Sequence, residues 1–174
     1  SLFVPGHKPD WVTKAQAAGA DELILDLEDA VPDDQKNAAR ATVRESVQKL
    51  HAQGQYCSVR IIGFATGRAL DDLESIMCAE LRSVMLPKAE SAQDMSSLDT
   101  LLSHLERRAG LPDGMWFVSY LFLEDKAGNS SSITYSSYGS SILSVDLPNG
   151  LYLGGTDKVL PEFKDTTITY TVND

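Results

Sequence analysis

The chain has 174 residues, 43% hydrophobic and 23% charged, with a formal net charge of −10. That length suits one domain with a real core, or one and a half small ones, and the composition is that of an ordinary globular protein. The acidic balance argues against nucleic acid or an anionic membrane surface as partner, and no apolar run approaches the ~20 residues that span a bilayer. The sequence opens at Ser1 within an expected strand, and no signal-peptide pattern is visible there. Cys57 and Cys78 show no CxxC spacing. They read as reduced, buried thiols, which fits a cytoplasmic or organelle-matrix setting.

Up to about Leu111, short β-branched or apolar runs alternate with longer helical patterns. Strands are expected at Leu2 to Val4, Glu22 to Leu25, Cys57 to Ile62 and Ser83 to Leu86. Helices are expected at Pro9 to Ala18, Asp33 to Gln53, Leu70 to Ala79 and Ala92 to Arg108. The second helix has Asp33 and Asp34 in its first turn and ends before Gly54, and Ala39, Val43, Val47 and Leu50 follow the spacing of one buried face. Strands alternating with helices imply βαβ units with right-handed crossovers and a parallel sheet. Four such units do not close a barrel, which takes about 250 residues.

The sharpest chemical signal is Leu25-Asp26-Leu27-Glu28-Asp29-Ala30-Val31-Pro32, where an apolar strand runs into three carboxylates. An unpaired buried carboxylate costs several kcal/mol. Acids at the C-terminal end of a parallel strand stand where α/β barrels build their active sites. The plainer alternative is that Asp26, Glu28 and Asp29 cap the following helix, where negative charge is favoured.

After Gly114 the texture changes: Arg and His disappear, the only Ala is Ala127, and Ser and Thr take their place. Trp116 to Phe122 reads as a fifth strand. Ser132 to Tyr138, Ser141 to Leu147, Leu151 to Leu153 and Thr166 to Val172 read as further strands. Turn signals at Ala127-Gly128-Asn129, Pro148-Asn149-Gly150 and Gly154-Gly155 point to hairpins. Antiparallel β structure is therefore expected beyond Gly128, because without a helix no crossover leads back to a parallel strand.

Several pieces together resemble the citrate lyase β-subunit-like family, within the larger aldolase group that includes malyl-CoA lyases. They are Leu2-Phe3-Val4-Pro5-Gly6, Lys14-Ala15, Gly19-Ala20-Asp21, Leu25 to Val31, Lys36, Ala39-Arg40, Val59-Arg60-Ile61, Asp72-Leu73, and Met85-Leu86-Pro87-Lys88 with Glu90. Their order and spacing agree with the family over about residues 1 to 114. The resemblance implies a partial TIM-type (β/α) barrel of four to five βα units, followed by a β-rich segment over 115 to 174 that departs from the family. It also implies an oligomeric protein that makes or cleaves a carbon–carbon bond beside a coenzyme A thioester, with Mg²⁺ chelating a 2-oxo acid.

By that resemblance Arg60 binds the substrate and stabilises negative charge developing on oxygen, and Glu28 and Asp29 orient metal-bound water and the Arg. Lys14 and Lys88 match positions near the coenzyme A phosphates and the site mouth, and Asp26 is grouped with them as substrate- or coenzyme-binding. For Arg60 the plainer role is a salt bridge to the neighbouring acids; for the lysines it is solvated surface charge. The family's Asn two residues after the Arg is Ile62 here. The nearest matches to the two metal-ligating carboxylates are Glu124, two residues late, and Asp157, after a longer interval than the family's. Nothing after Lys164 matches. Two functions follow: a metal-dependent carbon–carbon lyase acting on an acyl-CoA or a 2-oxo or hydroxy acid, or a catalytically incompetent half-barrel, truncated, aberrant or chimeric, fused to a β-rich segment.

Overall fold

The computed structural model describes residues 1–112 and the strand segments 120–124, 130–134, 146–147 and 151–152. The chain divides into two compact units, Ser1–Gly114 and Met115–Asp174.

In the first unit, β1 (Leu2–Pro5), β2 (Glu22–Asp26), β3 (Tyr56–Arg60) and β4 (Val84–Met85) form one sheet in chain order, every pair parallel. The connections carry α1 (Pro9–Ala17), α2 (Lys36–Ala52) and α3 (Ala69–Ile76), and α4 (Ala92–Arg108) follows β4. Each helix packs on the next. Right-handed crossovers between sequential neighbours put α1, α2 and α3 on one face of the sheet, and α4 packs against α3. The α/β expectation and the order of its strands hold.

The register fixes what each face carries. Val4, Leu25 and Val59 align across the sheet, as do Phe3, Ile24 and Ser58, and then Pro5, Asp26, Arg60 and Met85. Side chains alternate between faces along a strand, so Val4, Leu23, Leu25, Cys57 and Val59 share one face and Phe3, Asp26 and Arg60 the other. The first set is buried, against helices whose inner stripe includes Val12, Ala39, Val43, Val47, Leu50, Leu73 and Ile76. Phe3 is 48% exposed, so the helices cover the face opposite to it.

Gly6, just past β1, comes closest to the backbone of β2. Its N–H donates to Asp26 O at 2.8 Å, and a Cβ there would stand 2.6 Å from Val43 Cγ2 and 2.7 Å from Asp26 O. The Asp26 carbonyl is backbone and cannot swing aside. Gly6→Ala should destabilise the protein by about 1–3 kcal/mol in urea unfolding, as overpacking does. An unchanged midpoint would contradict the close approach.

Both cysteines are buried and free. Burial first, then Cys78 and Glu22 nearby, push the Cys57 thiol up to about 11, and burial raises Cys78 as well. Thiols held protonated are poor nucleophiles. Both should react with Ellman's reagent at pH 8 far more slowly in the native protein than in urea; equal rates would refute their burial.

The sequence expectations differ from the structure at identifiable places. Asp33 and Asp34 belong to a separate 3₁₀ turn, Asp33–Gln35, closed by Gln35 N–H to Pro32 O at 3.0 Å, and α2 starts only at Lys36. The strand at residue 57 ends at Arg60 rather than Ile62, because the Ile62 N–H goes to the Asp72 carboxylate at 2.8 Å instead of a neighbouring strand. The third helix stops at Ile76, where Met77 turns extended.

In the second unit, β5 (Tyr120–Glu124) pairs antiparallel with β6 (Ser130–Thr134), from Tyr120↔Thr134 to Glu124↔Ser130. Likewise β7 (Asp146–Leu147) pairs antiparallel with β8 (Leu151–Tyr152), and the expected turn Pro148-Asn149-Gly150 lies outside the described residues. Of the run Trp116 to Phe122 read as a fifth strand, the described part, Tyr120 to Phe122, belongs to β5 and pairs antiparallel with β6, and the strand continues to Glu124. The expected strand Thr166 to Val172 lies outside the described residues. Among those described, no helix is long and apolar enough to cross a membrane.

Candidate active site

The C-terminal ends of β2, β3 and β4 bring Asp26, Glu28, Asp29, Arg60 and Lys88 together. Asp26 and Arg60 are the last residues of adjacent strands and register partners, so their side chains leave the same face side by side. Asp26 is fully buried. Its Oδ1 accepts from Arg60 Nε at 2.8 Å and from the Glu28 N–H at 2.8 Å. Its Oδ2 accepts from Arg60 Nη2 at 2.6 Å and from the Ala30 N–H at 3.0 Å. Two parallel N–H···O bonds make this a bidentate, charge-assisted pair.

Burial pushes the Asp26 carboxyl up, but the Arg60 hydrogen bonds and the Glu28 and Ala30 N–H groups outweigh it, and it titrates below the ordinary carboxylate value. The hydrogen bonds that Arg60 donates to Asp26 in turn hold its guanidinium firmly protonated. The rest of the guanidinium faces two more acids, with Nη1 3.2 Å from Glu28 Oε2 and 3.7 Å from Asp29 Oδ2. Its plane lies over the Phe3 ring, 4.9 Å from the centroid, a cation–π contact.

Glu28 Oε1 meets Lys88 Nζ at 2.8 Å, and Lys88 also reaches Asp29 Oδ1 at 3.4 Å. The hydrogen bond to Glu28 leads the upward shift of the Lys88 ammonium. Lys88 has φ 52°, the only non-glycine in the left-handed region among the described residues. Such a conformation costs roughly 1–2 kcal/mol for an ordinary residue and persists where surrounding contacts hold it. Glu28 Oε2 is buried without a hydrogen bond, since its approach to Nη1 has the distance of an ion pair but not hydrogen-bond geometry. A buried acceptor in that state suits a water or a ligand hydroxyl.

The helix-capping alternative fails for these acids. The 3₁₀ turn and α2 begin at Pro32 and Gln35 with no side-chain cap, and Asp26 instead caps its own loop while pairing with Arg60. The salt bridge foreseen for Arg60 forms, with all three carboxylates. Lys14 is not part of the cluster: it is exposed in the last turn of α1, which runs back toward the edge where the strands begin.

Three carboxylates against Arg60 and Lys88 leave about one negative charge, and each acid already has a cationic partner. A divalent ion bound directly to these acids would sit against both cations. Among the described residues no group of three His, Cys, Asp or Glu side chains is placed to hold a metal. The described acids therefore do not fit as magnesium ligands. Of the two residues matched to ligands, Glu124 ends β5, with only its backbone described, and Asp157 lies outside the described residues.

Sequence reasoning assigned no role to Lys36, Arg40, Asp72 or His7. The first three are buried beneath the site loops. His7, two residues past β1 on the same sheet edge, has a buried Nδ1 without a partner and a pKa lowered by burial and by Lys8. The spacing of Lys36 and Arg40, flanking the buried Ala39 one turn apart, was the available signal for two of them.

A family model described as HpcH/HpaI aldolase/citrate lyase matches residues 1–148. The chain is 36% identical over 113 residues to the citrate lyase subunit beta of Leuconostoc mesenteroides subsp. cremoris, covering 65% of this chain and 37% of that protein. It is 36% identical over 130 residues to an L-malyl-CoA/beta-methylmalyl-CoA lyase of Cereibacter sphaeroides, covering 73% and 40%. Among solved structures, CitE of Mycobacterium tuberculosis in complex with magnesium and pyruvate is 40% identical with a TM-score of 0.48, covering 56% of this chain and 38% of that one. The chain spans about two fifths of the length of the curated relatives it matches.

Proposed function

Since the chain belongs to the HpcH/HpaI aldolase/citrate lyase family, we propose that it is a carbon–carbon lyase acting on an acyl-CoA thioester or a related 2-oxo or hydroxy acid. The observation that supports this most is the Asp26–Arg60 pair at the strand ends, with a buried, hydrogen-bond-free Glu28 oxygen beside it. Breaking a carbon–carbon bond next to a thioester carbonyl leaves negative charge on oxygen. A guanidinium fixed in advance stabilises that charge without having to reorganise. Asp26 does the fixing, and Phe3 closes one side of the guanidinium plane. Glu28 and Asp29 hold Arg60 and Lys88 at the mouth and orient a water or hydroxyl through Glu28 Oε2. Lys88, exposed at the rim, meets the anionic part of the substrate; Lys14, outside the cluster, is assigned to the coenzyme phosphates by the family resemblance alone.

Magnesium, the ion the family resemblance implies, would supply Lewis-acid stabilisation of developing negative charge. By that same resemblance its ligands are assigned to Glu124 and Asp157. The four parallel βα units are read as the opening half of a TIM-type barrel, residues 115–174 as a separate β-rich domain, and the assembly as a homo-oligomer in a cytoplasmic or organelle-matrix setting.

The test is incubation of the full chain with malyl-CoA and Mg²⁺, following release of glyoxylate as its phenylhydrazone. Release at millimolar Mg²⁺ is expected. Because the described strands beyond residue 119 pair antiparallel, calorimetry should show no Mg²⁺ site tighter than millimolar, and a micromolar site that Asp157→Asn abolishes would instead show the family's metal-binding geometry retained. A folded chain that cleaves nothing would overturn the lyase reading and favour the incompetent half-barrel. Mg²⁺ binding unaffected by Asp157→Asn would overturn the ligand assignment alone.

A further inference from the structure

We propose that Lys36 and Arg40, one turn apart on α2, are positioning residues that clamp from beneath the two loops on which the site is built. This rests on the lyase reading for its effect on turnover, while the clamp itself is independent of it.

The loops after β2 and β3 leave the strand ladder just where the site begins, so their backbone groups must find partners elsewhere. Two buried cations supply them. Lys36, with 8% of its side chain exposed, donates from Nζ to Leu27 O at 2.9 Å and to Glu28 O at 2.6 Å. Its nearest carboxylate, Asp33, is 3.9 Å away and itself exposed. The ammonium thus serves the backbone of the acidic loop more than it serves an ion pair.

Arg40 works through one intermediary. Its Nε donates to Asp72 Oδ1 at 2.8 Å, its Nη1 donates to Asn37 Oδ1 at 2.6 Å, and its Nη2 stands 3.5 Å from Asp71. Asp72 is fully buried, and its other oxygen accepts the Ile62 N–H at 2.8 Å, two residues past Arg60. The two loops are also tied to each other, Leu27 N–H donating to Arg60 O at 2.9 Å. One helix face therefore holds both loops, and through them the relative placement of Glu28 and Arg60.

Stability alone is a poor explanation for this arrangement. Well-packed apolar residues commonly replace buried charges at no loss. The contacts are specific in another way: the backbone groups held are Leu27, Glu28 and Ile62, each within two residues of a site side chain. Residues at i and i+4 share a helix face, so one rigid element can set both loops together.

The experiment uses the full chain as wild type, Lys36→Met, Lys36→Arg and Arg40→Lys, read first by amide hydrogen exchange without ligand. Lys36→Met should speed exchange of the Glu28 and Ala30 amides by about tenfold or more and leave Ile62 and the β2 core unchanged. Arg40→Lys should speed Ile62 instead. Where cleavage is measurable, Lys36→Met should lower kcat per folded molecule by about tenfold or more with KM within about threefold, because small misplacements of reacting groups cost rate. Lys36→Arg, which still donates to both carbonyls, should recover most of it.

Exchange that rises uniformly through β2, or does not rise, would overturn the clamp, as would a wild-type kcat in Lys36→Met. A wild type that cleaves nothing defeats the lyase reading, and the exchange pattern then decides the clamp by itself. Should Lys36→Met fail to fold, Lys36→Gln, which can still bond one carbonyl, carries the same exchange test.

Discussion

Asp26→Ala is expected to cost about 3–5 kcal/mol of folding stability, the range for removing one partner of a buried ion pair. For a unit of this size that lowers Tm by on the order of 10–20 °C. The magnitude follows from what is left behind. Arg60 loses its two-bond partner, and the Glu28 and Ala30 N–H groups lose their acceptor at the same stroke. The acid dependence carries a sign. Asp26 titrates below its ordinary value in the folded chain, so its contribution is complete above the unfolded carboxylate value of about 3.9 and fades as pH falls through the lower folded value. The gap in stability between wild type and Asp26→Ala should therefore be widest near neutrality and narrow below about pH 4. Thermal unfolding across that range tests it, and a loss under about 1 kcal/mol at pH 7 would mean that the pair is not buried as described.

Arg60→Lys should leave a folded protein and reduce kcat/KM for malyl-CoA by about 10²–10³-fold, the usual effect of removing one fixed donor from a developing oxyanion. Lysine keeps the positive charge beside Asp26, which protects the fold. It cannot make two parallel bonds to one carboxylate and still present nitrogen to a ligand, and it loses the flat face over Phe3. Steady-state kinetics with circular dichroism separate the two effects. Activity within about threefold of wild type would remove Arg60 from the chemistry.

Much of this was legible in the sequence, for reasons that can be named. The helix expected at Ala92 to Arg108 has those limits because Ser91 caps it in a box with Asp94 and two arginines close its last turn. The strands were legible because fully buried parallel strands are written as short apolar runs. The acids and Arg60 were legible because charged residues at the ends of such runs have few other uses. The boundary between the 3₁₀ turn and α2 was not, since Asp33 and Asp34 suit the first turn of either kind of helix. Nor was the end of β3, which is set by Asp72, ten residues away and on another element. Lys36 and Arg40 were hidden for the same reason: a cation on a helix looks solvated until the loops folded over it are known.

The orientation of Arg60 has a last consequence for what the site can recognise. Asp26 occupies the Nε–Nη2 edge of the guanidinium, one of its two edges with a pair of parallel donors. An incoming group meets the Nη1–Nη2 end, where Nη1 already faces Glu28 and Asp29. Selectivity among acids then falls to how the ligand's oxygens share that end with the two carboxylates. Ligands that place one oxygen at Nη1 and a hydroxyl at Glu28 Oε2 satisfy both, which a simple monocarboxylate cannot do.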